Sequence, residues 1–185
     1  MNLDSRARRS FSLSEARVLL ARTPAVLDVW LRDLPDGWER VREGGETWSP
    51  FDVVGHLIHG EKTDWMPRLT RILEHGTTLP FDKFDRFAQF RDSEGSSLPE
   101  LLAEFARLRA ASLATLDALA LDETALDRHG RHPVLGEVTA RQLLATWVAH
   151  DHDHIVQIAR ILANQYADEV GPWRAFLRII SGQPG

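Results

Sequence analysis

The chain contains no cysteine among its 185 residues. Disulfides, thiolate metal sites and a cysteine nucleophile are thereby excluded, so any metal must be held by histidine and carboxylate. Long apolar runs are missing as well: no stretch approaches the roughly 18–20 residues that cross a bilayer, and "MNLDSRARRSF" at the N-terminus is followed by no apolar h-region. The expectation is a soluble, untargeted, cytoplasmic protein with no membrane partner. Clustered basic charge is also lacking. The 22 Lys and Arg are scattered, Asp and Glu number 27, and the net charge is −5, which leaves no electrostatic footprint for nucleic acid. Alternating β-branched runs of useful length are nearly absent, and no repeat or Ser/Gly linker divides the chain. What is there is 43% hydrophobic residues, enough for one globular domain spanning residues 1–185 with a real core.

The recurring signal is helical punctuation. Ser12 and Glu15 make a capping box before "LSEARVLLAR", and Thr23-Pro24 either kinks that helix or, the preferred reading, starts a second one with Thr23 as N-cap and Pro24 at the first position. Ser49, Pro50 and Asp52 open a third helix that runs to Gly76, with a kink at Pro67. The segment "TTLPFDKFDRFAQFRDSEGS" has no period and reads as a long connection. Ser97 and Glu100 then open a helix whose Leu101, Phe105, Leu108, Ser112, Leu116 and Leu119 share helical spacing. The turn-rich "DRHGRHPVLGEV" follows, then Thr139 and Gln142 cap the last long helix, and "PWRAFLRII" makes a short C-terminal one. The fold predicted is all-α: a four-helix bundle with a long crossover connection and a short C-terminal helix, an architecture that builds metal sites between facing helices.

The last long helix carries "WVAHDHDHIVQIARIL". At about 100° per residue, His150, His154, Leu143, Gln157 and Ile161 fall within about 40° of one line, with Trp147 and Ile158 beside them. His152 faces away, and Asp151 and Asp153 lie on the two flanks. A His-x-x-x-His pair puts two imidazoles one turn apart on one face, close enough to chelate a single cation. A buried neutral imidazole needs partners for both nitrogens, and a shared cation meets the acceptor need of two at once.

A third ligand must come from elsewhere; the candidates are His56, His59, His75, His129 and His132. Along the helix that "SPFDVVGHLIHGE" opens, the apolar stripe Phe51, Val54, Ile58, Trp65, Leu69 and Ile72 stays within about 30° of one line, and His56 lies opposite it beside Gly60. Val53 and Leu57 flank His56, so this helix reads as buried on two sides. His56, on the small and polar side, is the best third ligand, and His59 the second. Gln157, Asp151 and Asp153 could each fix a ligand imidazole by hydrogen-bonding its other nitrogen. Asp64 is a weak candidate for a general base, Glu61 is expected in a surface ion pair, and Trp48, Trp65 and Trp147 read as core.

Together "TWSPFDVVGHLIHGEKTDW", "HPVLGEVTARQLLATWVAHDHDHIVQIARIL" and "VGPWRAFL" closely resemble the DinB-like superfamily, four-helix-bundle metal proteins related to the YfiT type of metal-dependent hydrolases. The resemblance runs from Thr23 to about Leu177 and places that family's three metal histidines on His56, His150 and His154. It implies a divalent cation, zinc or nickel first and iron or manganese next. It also implies a homodimer, a small-molecule substrate or ligand, and hydrolase or thiol-dependent transferase chemistry; with no cysteine in the chain, the low-molecular-weight thiol would be exogenous. A non-catalytic metal- or ligand-binding bundle is the alternative. An HD-type phosphohydrolase, suggested by His150-Asp151, His56 and Asp168, is weaker because Asp151 points about 100° away from His150. A metalloprotease is set aside, since Asp151 stands where His-Glu-x-x-His needs Glu.

Overall fold

Three of the long helices open on reciprocal capping boxes. The side chains of Ser49, Ser97 and Thr139 accept from the backbone N–H of Asp52, Glu100 and Gln142, whose side chains accept in return. Each box gives a side-chain acceptor to two of the backbone N–H donors that a helix start leaves orphaned, so these starts are fixed locally. The structure, a computed structural model, describes residues 9–181. Its elements are α1 (Leu13–Leu31), α2 (Pro50–Thr63), α3 (Trp65–His75), α4 (Ala88–Asp92), α5 (Leu98–Ala118), α6 (Glu123–Leu126), β1 (His129–His132), β2 (Gly136–Thr139), α7 (Ala140–Asn164) and α8 (Arg178–Ser181). Helix α1 packs on α5 and α7, α2 on α5 and α7, and α3 on α7. This is the four-helix bundle expected, with α2 and α3 forming one interrupted rod and α4 lying inside the crossover against α2.

Local expectation and structure part at four places. Helix α1 runs straight through Pro24 instead of restarting there. Pro24 has no N–H for the Leu20 carbonyl, a loss that in a helix interior costs about 3 kcal/mol or more. Here the Nη1 of buried Arg109 donates to that carbonyl at 2.8 Å, and the Thr23 hydroxyl donates to Asp151 instead of capping a helix. The rod expected to kink at Pro67 breaks at Asp64, with φ −110° and ψ −68°, because Pro67 cannot donate to the carbonyl of Thr63 one turn earlier. The loop "DRHGRHPVLGEV" contains an antiparallel hairpin, His129 facing Thr139 and His132 facing Gly136. A Cβ on Gly130 would meet Ile72 Cγ1 at 2.5 Å and the Phe81 ring at 3.0 Å, so only glycine lets this hairpin close on α3. Finally, the C-terminal stretch is mostly a 3₁₀ helix, Gly171–Phe176, before short α8.

The core has two apolar clusters. Leu27, Leu31, Phe51, Val54, Phe105, Ile158 and Ile161 belong to one; Leu20, Trp65, Leu69, Leu113, Leu144 and Trp147 belong to the other. Between the clusters α1, α2, α5 and α7 each bury polar side chains: Thr23 on α1, Glu61 on α2, Arg109 on α5, Asp151 and His154 on α7. Burying so many polar groups is favourable only if they satisfy one another. This slab holds the candidate site. Among the described residues no helix is long and apolar enough to cross a membrane.

Candidate metal centre

Helix α2 enters the slab with His56, and α7 with His150 and His154 one turn apart. The three imidazoles converge on their Nε2 atoms: His56 to His150 is 3.2 Å, and His150 to His154 is 3.1 Å. They are the one group of three or more potential ligands among the described residues, each offering an atom within 4.8 Å of the others, and they could hold a metal ion.

The protons cannot be arranged to suit these contacts. His154 Nδ1 lies 2.8 Å from Gln157 Oε1, an acceptor, so Nδ1 carries the proton and Nε2 presents a lone pair. If His150 Nε2 is protonated, its single hydrogen must serve two neighbours. If it is not, two lone pairs face each other. A cation shared by all three nitrogens removes the conflict, which makes the donor set fit a divalent metal. The Nδ1 atoms of His56 and His150 are buried and meet no partner among the described residues.

Burial, reinforced by the neighbouring imidazoles, lowers the pKa of His56 to about 3 and that of His150 to about 4; His154 is lowered as well, chiefly by burial. All three are therefore neutral at pH 7, with lone pairs available. A folded-state pKa below the ordinary 6.5 contributes stability that is complete above 6.5 and lost as pH falls through the folded values. The metal-free protein should accordingly lose stability steadily from pH 6.5 down towards pH 4. Urea midpoints taken in chelator across that range check this, and a flat profile would contradict it.

Aromatic rings surround the trio. The Trp48 ring lies 4.7 Å from His56 and stacks on His154 at 6.2 Å, Phe84 meets His56 edge-on at 5.4 Å, and Trp65 meets His150 edge-on at 5.1 Å. Trp65 stacks in turn on Trp147 at 5.6 Å. Trp65 and Trp147 are core residues as expected, whereas Trp48 is half-buried and walls a cavity of about 840 Å³ that the three histidines also line. Asp64 lines it too, ion-paired with Arg68, and burial holds its carboxyl above the usual range.

The flanking residues divide. Gln157 reaches a ligand imidazole, as just described. Asp153 is exposed at the cavity and makes no hydrogen bond to an imidazole. Asp151 turns the other way, because the slab supplies it with a better partner: Arg109 Nη1 and Nη2 donate to its two oxygens at 2.6 and 3.0 Å, and the Thr23 hydroxyl donates at 2.6 Å. Arg109 Nε also donates to Glu61 at 2.9 Å, and Trp147 Nε1 donates to the same oxygen at 3.2 Å. Glu61 is therefore buried rather than in a surface pair, and its pKa is raised by burial against the pull of Arg109. Arg109 and Asp151 are each only 1% exposed.

Sequence reasoning missed this network, though one signal was present. Arg109 lies on the apolar side of α5, four residues after Phe105, where a cation demands a buried acid. The other histidines lie outside the trio. His59 faces Asp92 at 3.5 Å, His129 faces Glu137 at 3.4 Å, His75 is half-exposed at the end of α3, and exposed His152 bonds the Val148 carbonyl at 2.7 Å. Neither Asp151 nor exposed Asp168 joins the trio, which removes the HD-type arrangement.

Known proteins share this fold. YfiT from Bacillus subtilis, described as a probable metal-dependent hydrolase with an unusual four-helix bundle topology, superposes with a TM-score of 0.73 at 23% identity, over 86% of this chain and 93% of that one. The four-helix bundle protein TT2238 superposes with a TM-score of 0.56 at 22% identity, over 80% and 98%. No curated protein matches in sequence. Residues 19–158, which run from within α1 past the third histidine, match the DinB superfamily as a family, and with the bundle and the clustered histidines in place the chain belongs to the DinB superfamily.

Proposed function

We propose that this protein is a divalent-metal-dependent enzyme in which His56, His150 and His154 are the protein ligands and hydrolysis or thiol transfer is the reaction. The observation that carries the reading is the convergence of three neutral Nε2 atoms at an open cavity. Three protein ligands leave a coordination position free, the hallmark of catalytic rather than structural sites. A divalent cation held by His56, His150 and His154 would supply Lewis acidity, enough to lower the pKa of a water to about 7 or to hold a thiolate at neutral pH.

The chain's own residues do the rest. Gln157 fixes the ring of His154 and keeps its proton on Nδ1, so that Nε2 faces the site. Trp48, Trp65 and Phe84 exclude water from three sides of the imidazoles. Asp64 and Asp153 are the carboxylates on the cavity wall nearest in kind to a proton carrier, and burial holds the Asp64 carboxyl above its ordinary value. Gln157→Leu should weaken metal affinity about 10- to 100-fold with little change in fold, as loss of a group orienting a ligand does.

The reading is tested by titrating purified, chelator-stripped protein with zinc and with nickel. One ion bound per chain is expected; no saturable binding would contradict it. Hydrolase and transferase then separate on whether turnover of a candidate substrate requires an added thiol, which the chain cannot supply itself.

A further inference from the structure

The cavity above the three histidines is electrically two-sided. Its wall from α3 and the crossover brings Arg68, Lys83 and Arg86 against one carboxylate, Asp64. Its wall from α7 and the segment before α2 brings Glu43, Glu46 and Asp153 against one cation, Arg160, which is paired to Glu43 at 2.7 Å.

The crossover is arranged to leave its cations unpaired. Two acids flank them in sequence, yet Asp82 is bonded to Arg71 at 2.7 Å and Asp85 to Arg91 at 2.6 Å, neither of those arginines lining the cavity. Arg68 is held by Asp64. Among the described residues Lys83 and Arg86 therefore have no carboxylate within ion-pair distance, although both line the cavity and Phe84 between them packs on His56.

A second, independent feature on the same side is His132. Its Nδ1 accepts the backbone N–H groups of Val134 and Leu135 at 3.2 and 3.1 Å, across the hairpin turn. That fixes the tautomer: the proton is on Nε2, and the imidazole on the cavity wall is a hydrogen-bond donor rather than an acceptor or a metal ligand. Two unpaired cations and an oriented N–H donor, all on one wall, suit an oxyanion and offer nothing to a cation.

We propose that Lys83, Arg86 and His132 form a subsite for the anionic group, carboxylate or phosphate, of a small organic substrate whose reacting part lies over the three histidines. The assignment of the reacting part rests on the metal-centre reading; the subsite itself does not.

Three probes of one shape and different charge test it: benzoate, benzamide and benzylamine, their binding followed by NMR on metal-free and on zinc-loaded protein. Benzoate should bind the metal-free protein about tenfold more tightly than benzamide, with benzylamine weakest. K83Q/R86Q should lose that preference, benzoate weakening about tenfold while benzamide and zinc content per chain are unchanged. Both residues are exposed and unpaired, so the variant keeps the fold. Replacement of His132 by Phe should weaken benzoate by a smaller factor. Wild-type affinity for benzoate in K83Q/R86Q, tighter binding of benzylamine than of benzoate, or no binding of benzoate to either form would overturn the proposal. Protein that keeps the charge preference but takes up no zinc would sustain the subsite and remove the metal reading.

Discussion

Arg109→Met is expected to lower folding stability by about 3–5 kcal/mol, the range for breaking a buried ion pair from one side. The residue is buried between two acids, Asp151 and Glu61, and its removal strands both. It also takes the donor from the Leu20 carbonyl that Pro24 leaves free, so α1 loses its substitute for a helix hydrogen bond. Urea unfolding of the metal-free protein measures the loss. A change below about 1 kcal/mol would mean that the slab is held by packing alone. The triple variant R109M/E61L/D151L separates the causes, because removing all three charges together should recover a large part of the loss, as apolar replacement of buried ionic groups commonly does.

Removal of a ligand is the other large effect. His56→Ala, His150→Ala and His154→Ala should each reduce metal affinity by more than about 100-fold, beyond the 10- to 100-fold range set by groups that only orient a ligand. His59→Ala and His152→Ala are the matched controls, each removing an imidazole next to the site that makes no contact with the trio, and both should titrate like wild type. Competition with a chromogenic chelator reads all five. Wild-type affinity in any of the first three would exclude that residue from the coordination sphere.

The bundle was legible in the chain because its signals are local. Ser49, Ser97 and Thr139 announce three helix starts, and the apolar spacing on α5 and α7 announces which faces turn inward. The histidine face of α7 was legible for the same reason, two imidazoles one turn apart within an apolar stripe. What the sequence hid were partnerships between helices. A helical wheel places Asp151 on a flank but cannot say that Arg109, 42 residues earlier, waits there. It places Glu61 away from His56, and on a surface helix that direction would mean solvent. Helix α2 is buried almost all round, so the same direction means α5. Thr23-Pro24 has the local form of a helix start, yet Arg109 and Asp151 claim the groups that would make it one. The β1–β2 strands are four residues each, too short for an alternating pattern to register.

A metal held by three histidines with a position left open is tested most directly by X-ray absorption on protein loaded with one zinc per chain. The expected shell is three imidazole nitrogens at about 2.0–2.1 Å and one further light donor that exchanges with added thiol or carboxylate. A shell with fewer than three imidazoles, or one closed by a fourth protein ligand, would contradict it.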